Sequence, residues 1–344
     1  MQNKMIFLDR NENNYGPAPK CYDVLKNLEF SKFSCYTREF QKESKGILSA
    51  RFAKDFNLPE NRVLLGYGAE DILKQTVQCY LEKGDKLMIP SFSWWYYKKL
   101  AEEVDGIDVQ YPMIKGKDSF YYDLDEMIAI YKREKPKMVL ISSPTNPTGN
   151  SLSITDINIV LKEFRDSFVI LDEAYAHSGN NNYINELLDE NPNLIIVRTF
   201  SKYYALAGVR VGYAFLGKNL TNLSKFTNRY LGYHRLSEEI ALAALDSPEY
   251  YANMARIMNQ DKELFYKAFN AIDGFTVFKS DTNFVLVEVP IEIMKSMQEF
   301  LLSRNLQIKF MNEELLNSHL RITIGTQEQN RMLVEAIEEF MSKQ

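Results

Sequence analysis

The chain is poor in cysteine and histidine, with three of each in 344 residues. Cys21, Cys35 and Cys79 lie far apart without Cys-x-x-Cys spacing, and His177, His234 and His319 are equally scattered, so neither a disulfide framework nor a metal site is expected. Long apolar runs are missing as well. Nothing approaches the ~20 residues that cross a bilayer, and the run from Met5 to Leu8 is too short for the core of a secretory signal. These absences point to a cytoplasmic protein with no membrane partner. Positive charge is not in excess either: 41 Lys and Arg stand against 46 Asp and Glu, a net charge of −5, and no basic stripe is interleaved with aromatics. That argues against nucleic acid as a partner. What remains, 45% hydrophobic and 25% charged residues, suits a soluble globular protein that buries a large core in two or three domains.

From about residue 60, short β-rich apolar runs alternate with helical segments, the order that builds a mainly parallel sheet covered by helices on both sides. Seven strands are expected, at Arg62–Leu65, Lys86–Ile89, Ile107–Tyr111, Lys137–Ile141, Phe168–Leu171, Leu194–Arg198 and Val209–Phe215. After about residue 216 the pattern changes to a long helix through Asp261–Ala271 and a compact α+β tail with strands at Asn283–Val289 and Leu320–Ile324. The expected organisation is an N-terminal arm (1–38) contributing to a small domain, a large α/β domain (39–235) and a small C-terminal α+β domain (236–344). Ligands of open α/β sheets sit beyond the carboxyl ends of the strands, so the residues just after each run are the ones that matter.

Those residues are rich in chemistry. After the sixth strand, Thr199, Ser201, Lys202 and, further on, Arg210 converge at one strand end. Two hydroxyls and a planar guanidinium fork suit the oxygens of a phosphate. Lys202 is then left to bond covalently, because an ammonium that is desolvated beside another cation gives up its proton and becomes a nucleophile toward an aldehyde. A lone lysine at a strand end is ordinarily a solvated surface residue; its neighbours argue otherwise. The strand before it ends in Asp172, with Tyr175 three residues on, and Ser142-Ser-Pro-Thr-Asn-Pro-Thr-Gly149 holds Asn146 between two prolines, a rigidly placed amide in a turn. Gly66-Tyr-Gly-Ala-Glu-Asp71 runs from a strand into a helix, where the amides near Ala69 and Glu70 could cradle an anion. An aromatic of Ile89-Pro-Ser-Phe-Ser-Trp-Trp95 could stack on a flat ring, although core packing explains Phe92, Trp94 or Trp95 as well. Arg321 stands in the apolar run Leu320–Gly325, where an anion clamp would explain it.

Taken in order, Leu8-Asp-Arg-Asn-Glu-Asn-Asn-Tyr-Gly-Pro17, Gly68–Asp71, Pro144–Gly149, Asp172–Tyr175, Arg198–Lys202 with Leu206–Arg210, Thr282–Leu286 and Arg321–Gly325 resemble the class I and II aminotransferases of pyridoxal-phosphate (PLP) fold type I, and within them the histidinol-phosphate aminotransferase lineage. The resemblance spans nearly the whole chain. It implies PLP held by Lys202 as a Schiff base, Asp172 at the ring nitrogen, Asn146 and Tyr175 at the ring oxygen, and Phe92 stacked on the ring. Thr199, Ser201, Arg210 and the Ala69–Glu70 turn would hold the cofactor phosphate. Tyr15, Asn146, Lys309 and Arg321 would meet the substrate, a small-molecule amino donor or keto acceptor. It also implies a homodimer with shared active sites, in which Tyr36 reaches the neighbour's cofactor phosphate. Two departures stand out: Thr37 replaces the proline that usually follows that tyrosine, and Lys309 stands where a second phosphate-binding arginine is usual.

The leading expectation is ping-pong transamination, with Lys202 moving the Cα proton and glutamate as amino donor. A phosphoamino-acid decarboxylase of the same lineage would carry nearly the same motifs. A P-loop ATPase would need Val169–Glu173 as its Walker B strand and Gly212–Lys218 as its phosphate loop. Asn219 then stands where a metal-binding Ser or Thr is required, and the intervening residues read as a strand. A PLP-binding protein without catalysis is conceivable, since fold does not fix function, but every reacting group is retained.

Overall fold

Each of the seven apolar runs forms a strand of one sheet, in the order Val63–Gly66, Gly212–Leu216, Leu194–Thr199, Phe168–Asp172, Met138–Ser142, Lys86–Pro90, Ile107–Tyr111. The structure, a computed structural model, describes residues 4–39, 45–176, 183–229 and 231–344; His177 lies outside them. All neighbours in this sheet are parallel except Gly212–Leu216, which runs antiparallel to both of its own. The expected start of that strand at Val209 is corrected. Ala207–Val209 form a 3-10 turn and Arg210 takes a φ of +56°, so the chain cannot extend until Gly212.

The central strands read as unbroken apolar runs because both faces of the sheet are covered. Met138, Leu140, Ile170, Ile195 and Val197 point to one core, shared with Ile72, Tyr97 and Leu100; Val139, Ile141, Val169, Leu171 and Ile196 point to the other, shared with Phe52, Met127 and Val160. This alternation decides which strand-end residues face the helix Tyr96–Glu102 and which face away.

A second, five-stranded sheet has the order Ile6–Leu8, Leu306–Phe310, His319–Thr323, Phe284–Glu288, Thr276–Phe278, with only the first pair parallel. Leu8, Phe265, Val285, Ile308, Leu320, Ile322 and Leu333 fill the core on one of its faces. Gln307, Lys309 and Arg321 therefore lie on the opposite face. Packing crosses the expected domain boundaries: Ala18 and Cys21 of the arm, helix Arg235–Leu245 and Tyr251 all join the core of the large sheet. Among the described residues no helix is long and apolar enough to cross a membrane.

Helix Arg235–Leu245 is tied to helix Ile47–Asp55 by Glu238, 2% exposed, whose Oε1 accepts from the Leu48 amide at 3.1 Å. Burial pushes the Glu238 carboxyl up to about 7 from 4.5. A carboxyl with a raised folded pKa binds more protons folded than unfolded between the two values, so its contribution to stability falls as pH rises through that window. Glu238→Gln keeps the acceptor and removes the titration. The variant is expected to be more stable than the parent at pH 8 by on the order of 1–3 kcal/mol, and no more stable at pH 4.5. Thermal melts at the two pH values check this.

Candidate cofactor and substrate site

Asp172 ends its strand on the face shared with Ile170 and Leu140, and it is 3% exposed. Its Oδ1 accepts from the Ala174 amide at 2.9 Å and its Oδ2 from the Tyr97 hydroxyl at 2.7 Å. Burial pushes its pKa up to about 6, against the pull of those two donors. Ser142, paired with Asp172 across the parallel register, places its hydroxyl 3.3 Å from the same phenol oxygen. Glu173, one residue on, turns the other way to the Arg198 guanidinium at 2.7 Å, deep in the opposite core.

Lys202 leaves the adjacent strand end three residues after Thr199. Its Nζ donates to the Arg10 carbonyl at 3.0 Å and lies 5.6 Å from the centre of the Tyr175 ring. The lysine is half-buried, and the N-terminal arm supplies its polar partner. With Asn13, Tyr203, Met254 and Asn283 it lines a cavity that Tyr175 also borders. The Tyr175 hydroxyl accepts from Asn11 Nδ2 at 2.9 Å, and its ring meets Phe284 edge-on at 5.3 Å. The arm's contacts from Asn11 to Tyr175 and from Asp9 to Arg321, across 164 and 312 residues of sequence, could not be read from local pattern.

At the other side of the strand end, Thr199 Oγ1 bonds Ser201 Oγ at 2.9 Å and the Val211 carbonyl at 3.2 Å, both hydroxyl residues being nearly buried. Arg210 folds over Gly68, which caps helix Ala69–Tyr80. Its guanidinium donates to the carbonyls of Ala207 and Tyr67 and stands 3.6 Å from the Glu70 carboxylate. Thus Ala69, Glu70 and Arg210 meet at one helix N-terminus, where uncapped amides favour an anion.

Asn146 and Arg321 come together directly: Arg321 Nη1 donates to Asn146 Oδ1 at 2.5 Å and Nη2 to the Asp9 carbonyl at 2.7 Å. With its oxygen taken, Asn146 has the amide NH2 left to offer. Arg321 Nε is buried without a partner, and burial lowers the guanidinium's pKa. Lys309 is in register beside Arg321 on the same face of the small sheet. Phe92 packs edge-on against Phe120 at 6.1 Å. Tyr15 donates to Asp261 Oδ2 at 3.4 Å, which links the arm to the long helix Pro248–Phe269. Tyr36 is 70% exposed, next to Thr37, whose hydroxyl donates to the Leu231 carbonyl at 3.3 Å. Gly212–Leu216 is a sheet strand, so the P-loop alternative has no phosphate loop. Sequence reading missed Tyr97, although the aromatic run Phe92–Tyr97 contains it; only the helix Tyr96–Glu102 turns its hydroxyl to Asp172.

The residues fit a flat ring with an anionic tail. A Cβ at Gly68 would stand 2.3 Å from Arg210 Nη2 and one at Gly212 2.3 Å from the Gly68 carbonyl carbon, so two glycines permit the crowding of guanidinium and helix start into a cradle. Residues 3–337 match the family model "Aminotransferase class I and II". A histidinol-phosphate aminotransferase of Ruminiclostridium cellulolyticum is 31% identical over 335 residues, 96% of this chain and 91% of that protein, and one of Methanocaldococcus jannaschii is 26% identical over 98% and 90%. The histidinol-phosphate aminotransferase of Sinorhizobium meliloti, solved with pyridoxal-5'-phosphate, superposes with a TM-score of 0.86 at 23% identity, covering 99% of this chain and 92% of that one. The L-threonine-O-3-phosphate decarboxylase of Porphyromonas gingivalis does so at 0.81 and 20%, covering 97% and 99%; at these identities the likeness shows the fold. With its sheet order, its strand-end residues and a family match over nearly all its length, the chain belongs to the class I and II aminotransferases, the PLP-dependent family that its motifs resemble.

Proposed function

We propose that this enzyme exchanges an amino group between a small amino substrate of the histidinol-phosphate type and the 2-oxoglutarate/glutamate couple, in two ping-pong half-reactions. The observation that supports it most is that Asp172, the Thr199–Lys202 turn and Arg210 all stand at the same end of three adjacent strands, with Lys202 over the Tyr175 ring and Arg210 over Gly68. Lys202 would hold PLP through its amine, and the bound cofactor would supply the electron sink. Asp172 would pair with its ring nitrogen, Asn146 through its amide NH2 and Tyr175 through its hydroxyl with its ring oxygen. Phe92 would stack on the ring, and Thr199, Ser201, Arg210 and the Ala69–Glu70 turn would bind its phosphate. Lys202 Nζ moves the proton to and from substrate Cα. Arg321, held in place by Asn146 and Asp9, keeps further N–H donors for a carboxylate or phosphate, and Lys309 and Tyr15 complete the substrate's surroundings.

The same reading takes residues 39–235 as the cofactor-binding domain, with the arm and residues 236–344 forming the small one. It also makes the enzyme a cytoplasmic homodimer in which the exposed Tyr36 reaches the partner's phosphate site. The test is a half-reaction screen followed by the cofactor's absorbance, with histidinol phosphate, aromatic amino acids and phosphorylated amines as donors. Conversion by histidinol phosphate is expected; carbon dioxide from O-phosphothreonine without a keto acid would favour a decarboxylase instead. Lys309 brings charge without a bidentate fork, so Lys309→Arg is expected to lower KM for a phosphorylated donor by roughly five- to tenfold. The glutamate half-reaction should be unchanged, and steady-state kinetics with both donors checks it.

A further inference from the structure

Asp172 is a buried carboxylate with no cation among its described partners: two neutral groups hold it, the Ala174 amide on one oxygen and the Tyr97 phenol on the other. Tyr97 lies in the first turn of helix Tyr96–Glu102, is 3% exposed, and packs edge-on against Trp94 at 5.9 Å. Side-chain alternation puts Ser142, Asp172 and the Tyr97 helix on one face of the sheet. The phenol has one proton. At 2.7 Å from Oδ2 it makes the short bond expected when the acceptor is an anion, and the Ser142 hydroxyl at 3.3 Å can then donate to the phenol oxygen.

A phenylalanine would fill the same space, so packing does not require the hydroxyl. Two donors on opposite oxygens do fix the plane of a carboxylate that otherwise rotates about its last bond, and that plane decides where its remaining lone pairs point. We infer that Tyr97 is a positioning residue for Asp172, its O–H holding the carboxylate in the orientation in which it pairs with the cofactor's ring nitrogen. This rests on reading Asp172 as the partner of that nitrogen. The hydroxyl also opposes burial, which by itself favours the neutral acid. A carboxyl that has become neutral no longer stabilises a cationic ring.

The decisive experiment is Tyr97→Phe in the PLP-loaded protein, using ¹⁵N-labelled cofactor to follow ring-nitrogen protonation by NMR across pH, and equilibrium dialysis to follow PLP retention. Loss of one bond to a charged acceptor is expected to weaken retention by roughly ten- to a hundredfold and to shift ring-nitrogen protonation to lower pH. Tyr111→Phe is the control. That tyrosine is equally buried but donates to the Leu140 carbonyl, and its loss should leave the ring nitrogen's titration unmoved. Ser142→Ala keeps the test alive if Tyr97→Phe folds poorly; it should move the titration the same way by a smaller amount. In an Asp172→Asn background, Tyr97→Phe should change the titration no further. Wild-type protein that holds no PLP would refute the site reading itself. Wild-type protein that holds PLP, with unmoved titration and retention in Tyr97→Phe and Ser142→Ala, would leave that reading standing and overturn the role of Tyr97.

Discussion

Lys202→Ala is expected to lower transamination by at least about four orders of magnitude while barely changing stability. A positioned general base alone is worth ~10²–10⁴ in rate, and here the same amine would also be the covalent carrier of the cofactor. The fold loses little, because among the described residues the half-buried side chain makes one hydrogen bond, to the Arg10 carbonyl, and one contact over the Tyr175 ring. Such a bond contributes about 0.5–1.5 kcal/mol. Lys202→Arg separates chemistry from charge: it keeps a cation near Tyr175 and lacks a nucleophilic amine, so its activity should fall as far as that of the alanine variant. Single-turnover rates and the absorbance of bound cofactor measure both. Full activity in Lys202→Ala, or recovery in Lys202→Arg, would show that the amine neither carries the cofactor nor moves the proton.

The large sheet was legible because its central strands are buried on both faces. Met138–Ser142, Phe168–Asp172 and Leu194–Thr199 are short apolar runs, each ending in a polar residue, which marks the end of the sheet where the candidate site lies. The start of the antiparallel strand was misread at Val209, since apolar Val209 and Val211 look extended although the backbone turns at Arg210 with a positive φ. The arm's contacts were not legible. Asn11 to Tyr175, Arg10 to Lys202 and Asp9 to Arg321 are single polar bonds across 164, 192 and 312 residues, with no periodicity to announce them. Tyr97 was hidden for a related reason: its partner is chosen by the angle at which a short helix leaves a strand end, which residue types alone do not specify.

The second large effect is on stability, and it arises behind the site. Arg198 and Glu173 are 5% and 4% exposed at their side chains, 2.7 Å apart. Tyr183 closes the group, donating to Glu173 Oε1 at 2.6 Å and accepting from Arg198 Nη2 at 2.8 Å. Glu173 directly follows Asp172 and Arg198 directly precedes Thr199, so the pair joins the ends of two adjacent parallel strands. Glu173→Ala leaves a guanidinium in an apolar core without its carboxylate, a loss expected to cost about 3–5 kcal/mol. Replacing both charges, as Glu173→Leu with Arg198→Met, removes the buried ions together and should cost far less than the two single changes added. Thermal and urea unfolding of the four proteins of this cycle measure the coupling. A strongly negative coupling that restores stability but not cofactor retention would mean that the pair holds the strand ends in register for Asp172 and Lys202; restoration of both would mean that apolar packing there serves equally well.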